Sequence, residues 1–257
     1  MAGHSPELRE ALFELLLRLG DDCLILGHRV SEWCGHAPML EEDLALPNMG
    51  LDLIGQARSL YTYAGEVEGN GRTEDDLAYL RNDRQYRNLL LVERPNGDFA
   101  HTMLRQLYFA AFMEPYWRAT CGSKDETLAG IAGKAVKEMA YHIRHAGQWV
   151  IRMGDGTQGS ARRMKDAVEE LGHYVDEMFG TDAVTDALAA AGIAPDPAAL
   201  RPDWDRTIEM VFSEANLKQP QIAYPQRGGR DGLHGEDLGH LLAELQYMQR
   251  TYPGLNW

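Results

Sequence analysis

The 257-residue sequence predicts an all-α protein. Apolar residues recur at spacings of three and four over long stretches, as they do on one face of a helix. No stretch has the alternating pattern of a half-buried strand, and glycine- and proline-rich segments separate the helical stretches. We therefore expect four long helices within residues 5–155, followed by a helical extension and a long loop within residues 156–257. Together they would form one domain over residues 1–257.

The first two long helices are predicted from their caps and apolar stripes. The first runs from Ser5, a suitable N-cap followed by Pro6, to about Cys34. The second begins in the acidic run 41–43, which suits the positive end of the helix dipole. Its stripe comprises Leu46, Leu53, Ala57, Leu60 and Ala64.

The remaining elements follow from the same periodicity. The third long helix is predicted from Phe99 to Cys121, with a kink or break at Pro115, and the fourth from Asp125 to about Gly154. Shorter helices are predicted over 161–179, 184–191 and 237–252. We interpret 218–236 as a long ordered loop, because loops of that length in compact domains are usually functional or interfacial.

Composition restricts the class of partner. A formal net charge of −14 argues against a nucleic-acid or anionic-membrane surface, which leaves proteins and small molecules. No stretch reaches the roughly 18 apolar residues of a membrane-spanning helix, and the start lacks a signal-peptide pattern, so a cytoplasmic location is expected.

The odd number of cysteines argues against a disulfide framework, and we expect Cys23, Cys34 and Cys121 to be buried thiols.

The fourth helix raises the question of a metal site, because His142 falls on its apolar stripe and Glu138 at the stripe edge. A ferritin-like di-iron bundle takes a Glu from each of two helices and a Glu-x-x-His from each of the other two. Here the spacing is Glu-x-x-x-His, one residue too long. The other candidate ligands are Glu42 and Glu114, and no carboxylate falls on the stripe of the first helix.

One histidine and three carboxylates fall short of the six ligands that a di-iron site needs. We therefore expect no metal and treat Glu42, Glu114, Glu138 and His142 as a vestigial set. Buried polar groups usually satisfy one another, so Glu138 and His142 should contact each other or neighbouring polar groups. The alternative is an occupied di-iron site. Catalytic residues are predicted to be absent, since no nucleophile elbow, P-loop or dinucleotide fingerprint occurs.

Several long motifs resemble the C-type subunit of the bacterial phenylacetyl-CoA epoxidase family. They include LRLGDDCLILGHRVSEWCGHAP, EEDLALPNMGLDLIGQARSLYTYA, RQYRNLLLVERPNGDFA, KAVKEMAYHIRHAGQWVIRMGDGT and GGRDGLHGEDLGHLLAELQYMQRTYPGLNW. The resemblance implies a ferritin-like fold and a role in aerobic phenylacetate degradation. It also implies that this chain is a structural, metal-free subunit without a cofactor of its own.

The partners are likewise implied by the resemblance. In such a complex an A subunit holds the di-iron centre that inserts oxygen into the aromatic ring of phenylacetyl-CoA, giving the 1,2-epoxide. A B subunit bridges the assembly, and a reductase with FAD and an iron–sulfur cluster supplies electrons. Two alternatives remain open: an independently active di-iron oxygenase, and a stand-alone coenzyme A-binding helical protein.

The resemblance further implies contacts with coenzyme A at two segments, Gln85, Tyr86, Arg87 and Asn88, and Asp186, Ala187 and Leu188. In the first segment, Arg84 and Arg87 would meet phosphates and Tyr86 would stack on a base. Alternatively, Arg81, Arg84 and Arg87, at helical spacing, form a solvated face paired with Asp83 or Glu93. The second segment has no chemical signature and rests on the resemblance.

The second and third helices carry more aromatic residues than one stripe buries. We expect part of this surface to meet the A subunit, or else to pack under the C-terminal helices. The aromatic residues are Tyr61, Tyr63, Tyr108, Phe112, Tyr116 and Trp117.

Overall fold

A computed structural model describes residues 5–255, and all regular elements in this part of the chain are helices. The predicted all-α fold is therefore confirmed; the predicted domain limits at residues 1 and 257 lie outside the described residues. The α-helices are α1 (Pro6–Ser31), α2 (Leu40–Glu68), α3 (Glu74–Tyr79), α4 (Leu90–Glu93), α5 (Phe99–Thr120), α6 (Glu126–Gly154), α7 (Gln158–Gly172), α8 (Ala183–Ala191), α9 (Arg201–Glu214), α10 (Glu236–Leu245) and α11 (Tyr247–Thr251). None of these described helices is long and apolar enough to cross a membrane.

The first hairpin consists of α1 and α2, packed closely along their length. Ser5 caps α1 by accepting a hydrogen bond from the backbone N–H of Leu8. Gly27 and Gly50 face each other at the crossing, where a side chain on Gly50 would collide with the hydroxyl of Ser31. Small residues at this point let the two backbones approach, so the hairpin forms a tight half of the core.

The second hairpin consists of α5 and α6. Asp98 caps α5 by accepting from the backbone N–H groups of Ala100 and His101. Of the predicted kink or break at Pro115, the break is wrong, because α5 continues through this residue to Thr120. The side chain of Asp125 caps α6 and also accepts a hydrogen bond from the Tyr63 hydroxyl at 2.5 Å, which ties the second hairpin to α2.

The two hairpins pack together in the predicted ferritin-like four-helix arrangement, with α2 against α6. The C-terminal helices cover other sides of this core. Helices α7 and α9 pack on α5 and α6, and α8 packs on α1. The α9 residue Trp204 is buried and donates its indole N–H to the carbonyl of Tyr108 at 3.0 Å. The extension is thus attached to the core through α5.

This coverage overturns the expectation that the core aromatic residues meet a partner. All six are buried within the chain: Tyr61, Tyr63, Tyr108, Phe112, Tyr116 and Trp117. The alternative, packing under C-terminal elements, is correct for two of them. Tyr108 lies 5.4 Å from Trp204 and Phe112 lies 5.4 Å from Phe179, between ring centroids. An aromatic count cannot show which later segment folds back on a helix.

The cysteine prediction is correct for Cys23, which is buried, and wrong for Cys34 and Cys121, which are exposed. Cys34 follows the end of α1, and Cys121 is the C-cap residue of α5. The ends of a helix project from the core. A residue at a helix end can therefore be exposed even when it continues the apolar stripe of that helix.

Candidate functional site

Two adjacent carboxylates, Asp21 and Asp22, are fully buried in the middle of α1. The expectation that no carboxylate of α1 points inward is therefore wrong. The error comes from assuming a single buried stripe, whereas α1 is buried on all sides from Leu15 to Gly27. Buried charges require partners, and both aspartates have arginine partners from distant parts of the chain.

Asp21 binds the segment that follows α3. Its carboxylate forms a buried ion pair with Arg81 and accepts hydrogen bonds from the Tyr61 hydroxyl at 2.5 Å and the Arg87 backbone N–H at 2.7 Å. The Arg81 guanidinium also lies 4.4 Å from the centre of the Tyr86 ring. This network fixes residues 81–87 onto α1.

The predicted basic face of Arg81, Arg84 and Arg87 does not exist, because their backbone is not an α-helix. A short 3-10 turn spans Asp83–Gln85, and the backbone is extended at Tyr86. Arg81 is buried, Arg84 is exposed, and Arg87 lies 3.4 Å from the Glu14 carboxylate. Helical spacing in the sequence was therefore misleading here.

The first predicted coenzyme A segment is divided between core and surface. Tyr86 is fully buried and its hydroxyl donates to the carbonyl of Ala78, so the prediction that it stacks on a base is wrong. Asn88 is also buried and donates to the Glu93 carboxylate at 2.9 Å. Gln85 is exposed and Arg87 is partly exposed, which leaves these two side chains at the surface.

The second predicted segment lies in α8, where Asp186 and Ala187 are exposed and Leu188 is buried. A chain of ion pairs on α1 connects the neighbourhoods of the two segments. Its links are Arg87 to Glu14 at 3.4 Å, Glu14 to Arg18 at 3.1 Å, and Arg18 to Asp182 at 2.7 Å, the residue that caps α8. The fold thus brings the two segments to the same part of the molecule.

A cavity of about 190 Å³ lies beside this chain of ion pairs. Arg18, Arg227 and Arg230 line it together with Tyr116 and Thr185. Arg230 also pairs with the buried Asp22 at 2.7 Å, whereas Arg227 is exposed. Sequence reasoning missed the two loop arginines, although it identified their loop, 218–236, as functional or interfacial.

Buried carboxylates anchor that loop, which agrees with its interpretation as ordered. Glu177 accepts from the backbone N–H groups of Gly228 at 2.9 Å and Gly229 at 2.8 Å. Glu93 accepts from the Gly235 N–H and from His234 Nδ1, each at 2.7 Å. Peptide N–H groups held by buried carboxylates fix the loop backbone against α4 and the turn after α7.

Both ring nitrogens of His234 face hydrogen-bond acceptors, which favours the doubly protonated imidazolium form in this anchor. Nδ1 lies 2.7 Å from the Glu93 carboxylate and Nε2 lies 3.0 Å from the Tyr86 carbonyl. Burial lowers the pKa of His234, but these hydrogen bonds and the charge of Glu93 outweigh burial and raise it above its usual value. The imidazolium form therefore fits this position.

Glu138 and His142 lie in a polar layer at the centre of the four long helices. Glu138 accepts from the Gln56 amide at 2.8 Å and lies 3.3 Å from Lys134 Nζ. His142 is fully buried and lies 2.9 Å from the Gln106 amide through Nδ1. Since the amide donates to Nδ1, Nε2 carries the proton and donates to Asp52, 3.2 Å away. The expectation that the pair contacts neighbouring polar groups is confirmed.

The other two vestigial candidates have separate partners. Glu42 Oε2 lies 2.8 Å from His145 Nε2, although neither atom is aligned for a hydrogen bond. Glu114 lies 3.3 Å from Arg118, which is largely exposed. The structure therefore does not bring Glu114 into the polar layer.

The polar layer does not fit a di-iron centre. Its donors are two carboxylates, one imidazole, two amides and a thiol: Asp52, Glu138, His142, Gln56, Gln106 and Cys23. Amides are weak substitutes for the carboxylates that bind iron in such bundles. Burial raises the pKa of the Cys23 thiol, and its hydrogen bond to Gln56 at 3.6 Å uses the protonated form. Within residues 5–255, no three His, Cys, Asp or Glu side chains are placed to hold a metal ion together.

Comparison with known proteins gives matches over nearly the whole chain. A family model described as "Phenylacetic acid catabolic protein" matches residues 2–257. The chain is also 48% identical over 241 residues to the C subunit of 1,2-phenylacetyl-CoA epoxidase from Escherichia coli (strain K12). That alignment covers 94% of this chain and 97% of the relative. Both matches agree with the resemblance carried by the sequence motifs.

Proposed function

The chain belongs to the phenylacetic acid catabolic protein family, and on this basis we propose that it is a non-catalytic structural subunit of a phenylacetyl-CoA 1,2-epoxidase in aerobic phenylacetate degradation. It supports a catalytic A subunit, which holds the di-iron centre, and it assembles with a bridging B subunit. FAD and the iron–sulfur cluster belong to the reductase of the complex.

The observation that carries this proposal is the polar layer. Its two amides, Gln56 and Gln106, hydrogen-bond to Glu138 and His142, which would otherwise be the ligands offered by α6. The long helices are thus joined at their centre by hydrogen bonds between protein side chains. Such a layer gives a rigid bundle of the kind that a supporting subunit requires.

Reconstitution tests this function. The catalytic subunit is purified alone and with this chain, and soluble yield, iron content and epoxidation are measured. We expect the catalytic subunit to need this chain for a stable, active assembly, with iron in the catalytic subunit. Iron bound by the purified chain at two atoms per molecule, with turnover in the absence of the partner, would instead establish the independent oxygenase.

We also propose that the chain contacts the coenzyme A part of the substrate. The contact surface comprises Gln85, Arg87, Asp186 and Ala187, while the buried Tyr86, Asn88 and Leu188 hold the backbone beneath it. What supports this is the chain of ion pairs between the two segments and the adjacent cavity with Arg227. Guanidinium groups suit the phosphates of coenzyme A.

Kinetics of the assembled complex test this contact. Arg87→Ala together with Arg227→Ala should raise KM for phenylacetyl-CoA about tenfold with kcat unchanged, as for loss of a contact made equally in ground and transition states. Arg162→Ala, at an exposed position on α7, is the control. An unchanged KM would exclude the contact. Equally tight binding of coenzyme A by the isolated chain would favour the stand-alone binding protein.

A further inference from the structure

The dipeptide Asn-Gly occurs twice in the chain, at Asn70–Gly71 and at Asn96–Gly97. An asparagine in this dipeptide can lose its amide without an enzyme, because glycine has no side chain to shield its backbone nitrogen from the asparagine side chain. The reaction requires that this nitrogen reach the side-chain carbonyl carbon in a suitable orientation. The local structure therefore decides which of the two asparagines reacts.

Asn70 lies in the connection between α2 and α3, and both it and Gly71 are exposed. Gly71 has a φ of 77°, and a Cβ atom built on it would meet no heavy atom within 4 Å. Within residues 5–255, the Gly71 backbone N–H has no hydrogen-bond acceptor. Hydrogen bonds from Arg72 and, more weakly, from Asn70 lower the pKa of the Glu68 carboxyl. A single exposed contact of this kind leaves the Asn70 amide able to rotate towards the Gly71 nitrogen.

Asn96 is held on both sides of its amide. Its Nδ2 donates to the Arg29 carbonyl at 2.7 Å and to the Glu32 carboxylate at 2.8 Å, and its Oδ1 accepts from Arg105 at 2.5 Å. Arg105 is itself buried. Rotation of the Asn96 amide towards the next backbone nitrogen would break all three hydrogen bonds and leave a buried guanidinium without this acceptor. The same dipeptide is thus immobilised at the start of α5.

We propose that Asn70 is a site of spontaneous deamidation in the folded protein, whereas Asn96 is protected. The Gly71 nitrogen gives its proton to water and attacks the side-chain carbonyl carbon of Asn70, forming a new C–N bond. The side-chain NH2 group takes up a proton and leaves as ammonia, so that a five-membered succinimide remains. Water then opens the ring at either carbonyl and gives aspartate or isoaspartate. This inference is independent of the proposed function.

Either product would alter the end of α2. The new carboxylate stands near Glu68 and competes for Arg72, which donates to Glu68 at 2.7 Å. Isoaspartate also lengthens the backbone by a methylene group ahead of Arg72, whose carbonyl packs so closely on α2 that a Cβ atom on Gly65 would collide with it. We expect the connection to loosen from α2 as a result.

The first experiment ages the purified full-length chain at neutral pH, both folded and in urea, and follows the two asparagines by peptide mass spectrometry. In the folded chain Asn70 should react at least about tenfold faster than Asn96, because only Asn96 is immobilised. In urea the two rates should agree within about threefold, since both asparagines precede glycine and neither is held. Equal rates in the folded chain, or faster loss of the Asn96 amide, would overturn the proposal.

The second experiment measures the consequence, with Asn70→Gln as the matched control because glutamine closes the corresponding larger ring far more slowly. Both chains are aged and then treated briefly with trypsin, which cleaves after Arg72 when the connection opens. The aged wild type should be cleaved there about threefold faster than aged Asn70→Gln, because its open form is more populated. The two chains should be cleaved alike before ageing. Equal cleavage of the aged chains would overturn the proposed loosening.

Discussion

Two glutamines, Gln56 and Gln106, determine how Glu138 and His142 are used. The Gln56 amide donates to Glu138 at 2.8 Å and the Gln106 amide donates to His142 at 2.9 Å. Both residues of the type that binds metals are therefore hydrogen-bonded within the protein. The pair itself could be predicted from the sequence, because His142 falls on the stripe of α6. Its partners Gln56 and Asp52 could not, because both lie on another helix and bind through a tertiary contact.

The imidazole of His142 should contribute to stability. His142→Phe leaves the buried Gln106 amide without its partner, whereas Asp52 is partly exposed and is solvated by water. An unsatisfied buried polar group costs about 1–3 kcal/mol. Urea unfolding should show a loss of this size, and His142→Leu with Gln106→Leu should lose less than the sum of the two single changes. Equal stability of His142→Phe and the wild type would contradict this role of the imidazole.

His234 makes the stability of the loop anchor depend on pH. Its pKa in the folded protein is raised above the unfolded value of about 6.5, so the folded state retains the proton to higher pH. The stabilisation is therefore complete below about pH 6.5 and is lost as pH rises through the folded pKa.

The test compares His234→Asn with the wild type by unfolding at several pH values. The difference in unfolding free energy should be larger at pH 6 than at pH 9. His240→Asn, at an exposed position on α10, should show no such trend. A difference that grows towards pH 9 would reverse the sign and exclude the imidazolium anchor.

Among the secondary-structure elements, the segment 81–93 was not predicted correctly from the sequence. Helical spacing suggested a basic face, but Arg81 instead reaches 60 residues back to Asp21. A signal was available in the run LLLRLGDDCLIL, where two carboxylates interrupt an apolar stretch. Buried carboxylates in such a run require cationic partners, although the sequence does not show which arginines supply them.

Breaking the Asp21–Arg81 pair should be costly. Arg81→Met leaves a buried carboxylate uncompensated, and loss of one partner of a buried pair typically costs about 3–5 kcal/mol. Asp21→Asn with Arg81→Met should recover part of that loss, which a double-mutant cycle by urea unfolding measures. Additive losses would show that the pair is not coupled.

Across the chain as a whole, local periodicity predicted the four long helices to within a few residues at most ends. Helix α5 was expected from Phe99 to Cys121 and runs from Phe99 to Thr120. The helix expected over 161–179 instead ends at Gly172 and is followed by a separate turn at Asp176–Phe179. Tertiary arrangement was less predictable, because the contacts of Trp204 with α5 and of Arg230 with α1 join residues 96 and 208 positions apart.

Above all, we propose that this chain supports epoxidation without taking part in its chemistry. The decisive quantity is kcat of the complete complex assembled with Glu138→Gln and His142→Gln in this chain, expressed per assembled complex. We predict a value within twofold of the wild type, because the two side chains act as internal hydrogen-bonding groups. A fall of a hundredfold or more in a complex of normal assembly would contradict the proposal and place chemistry in the polar layer.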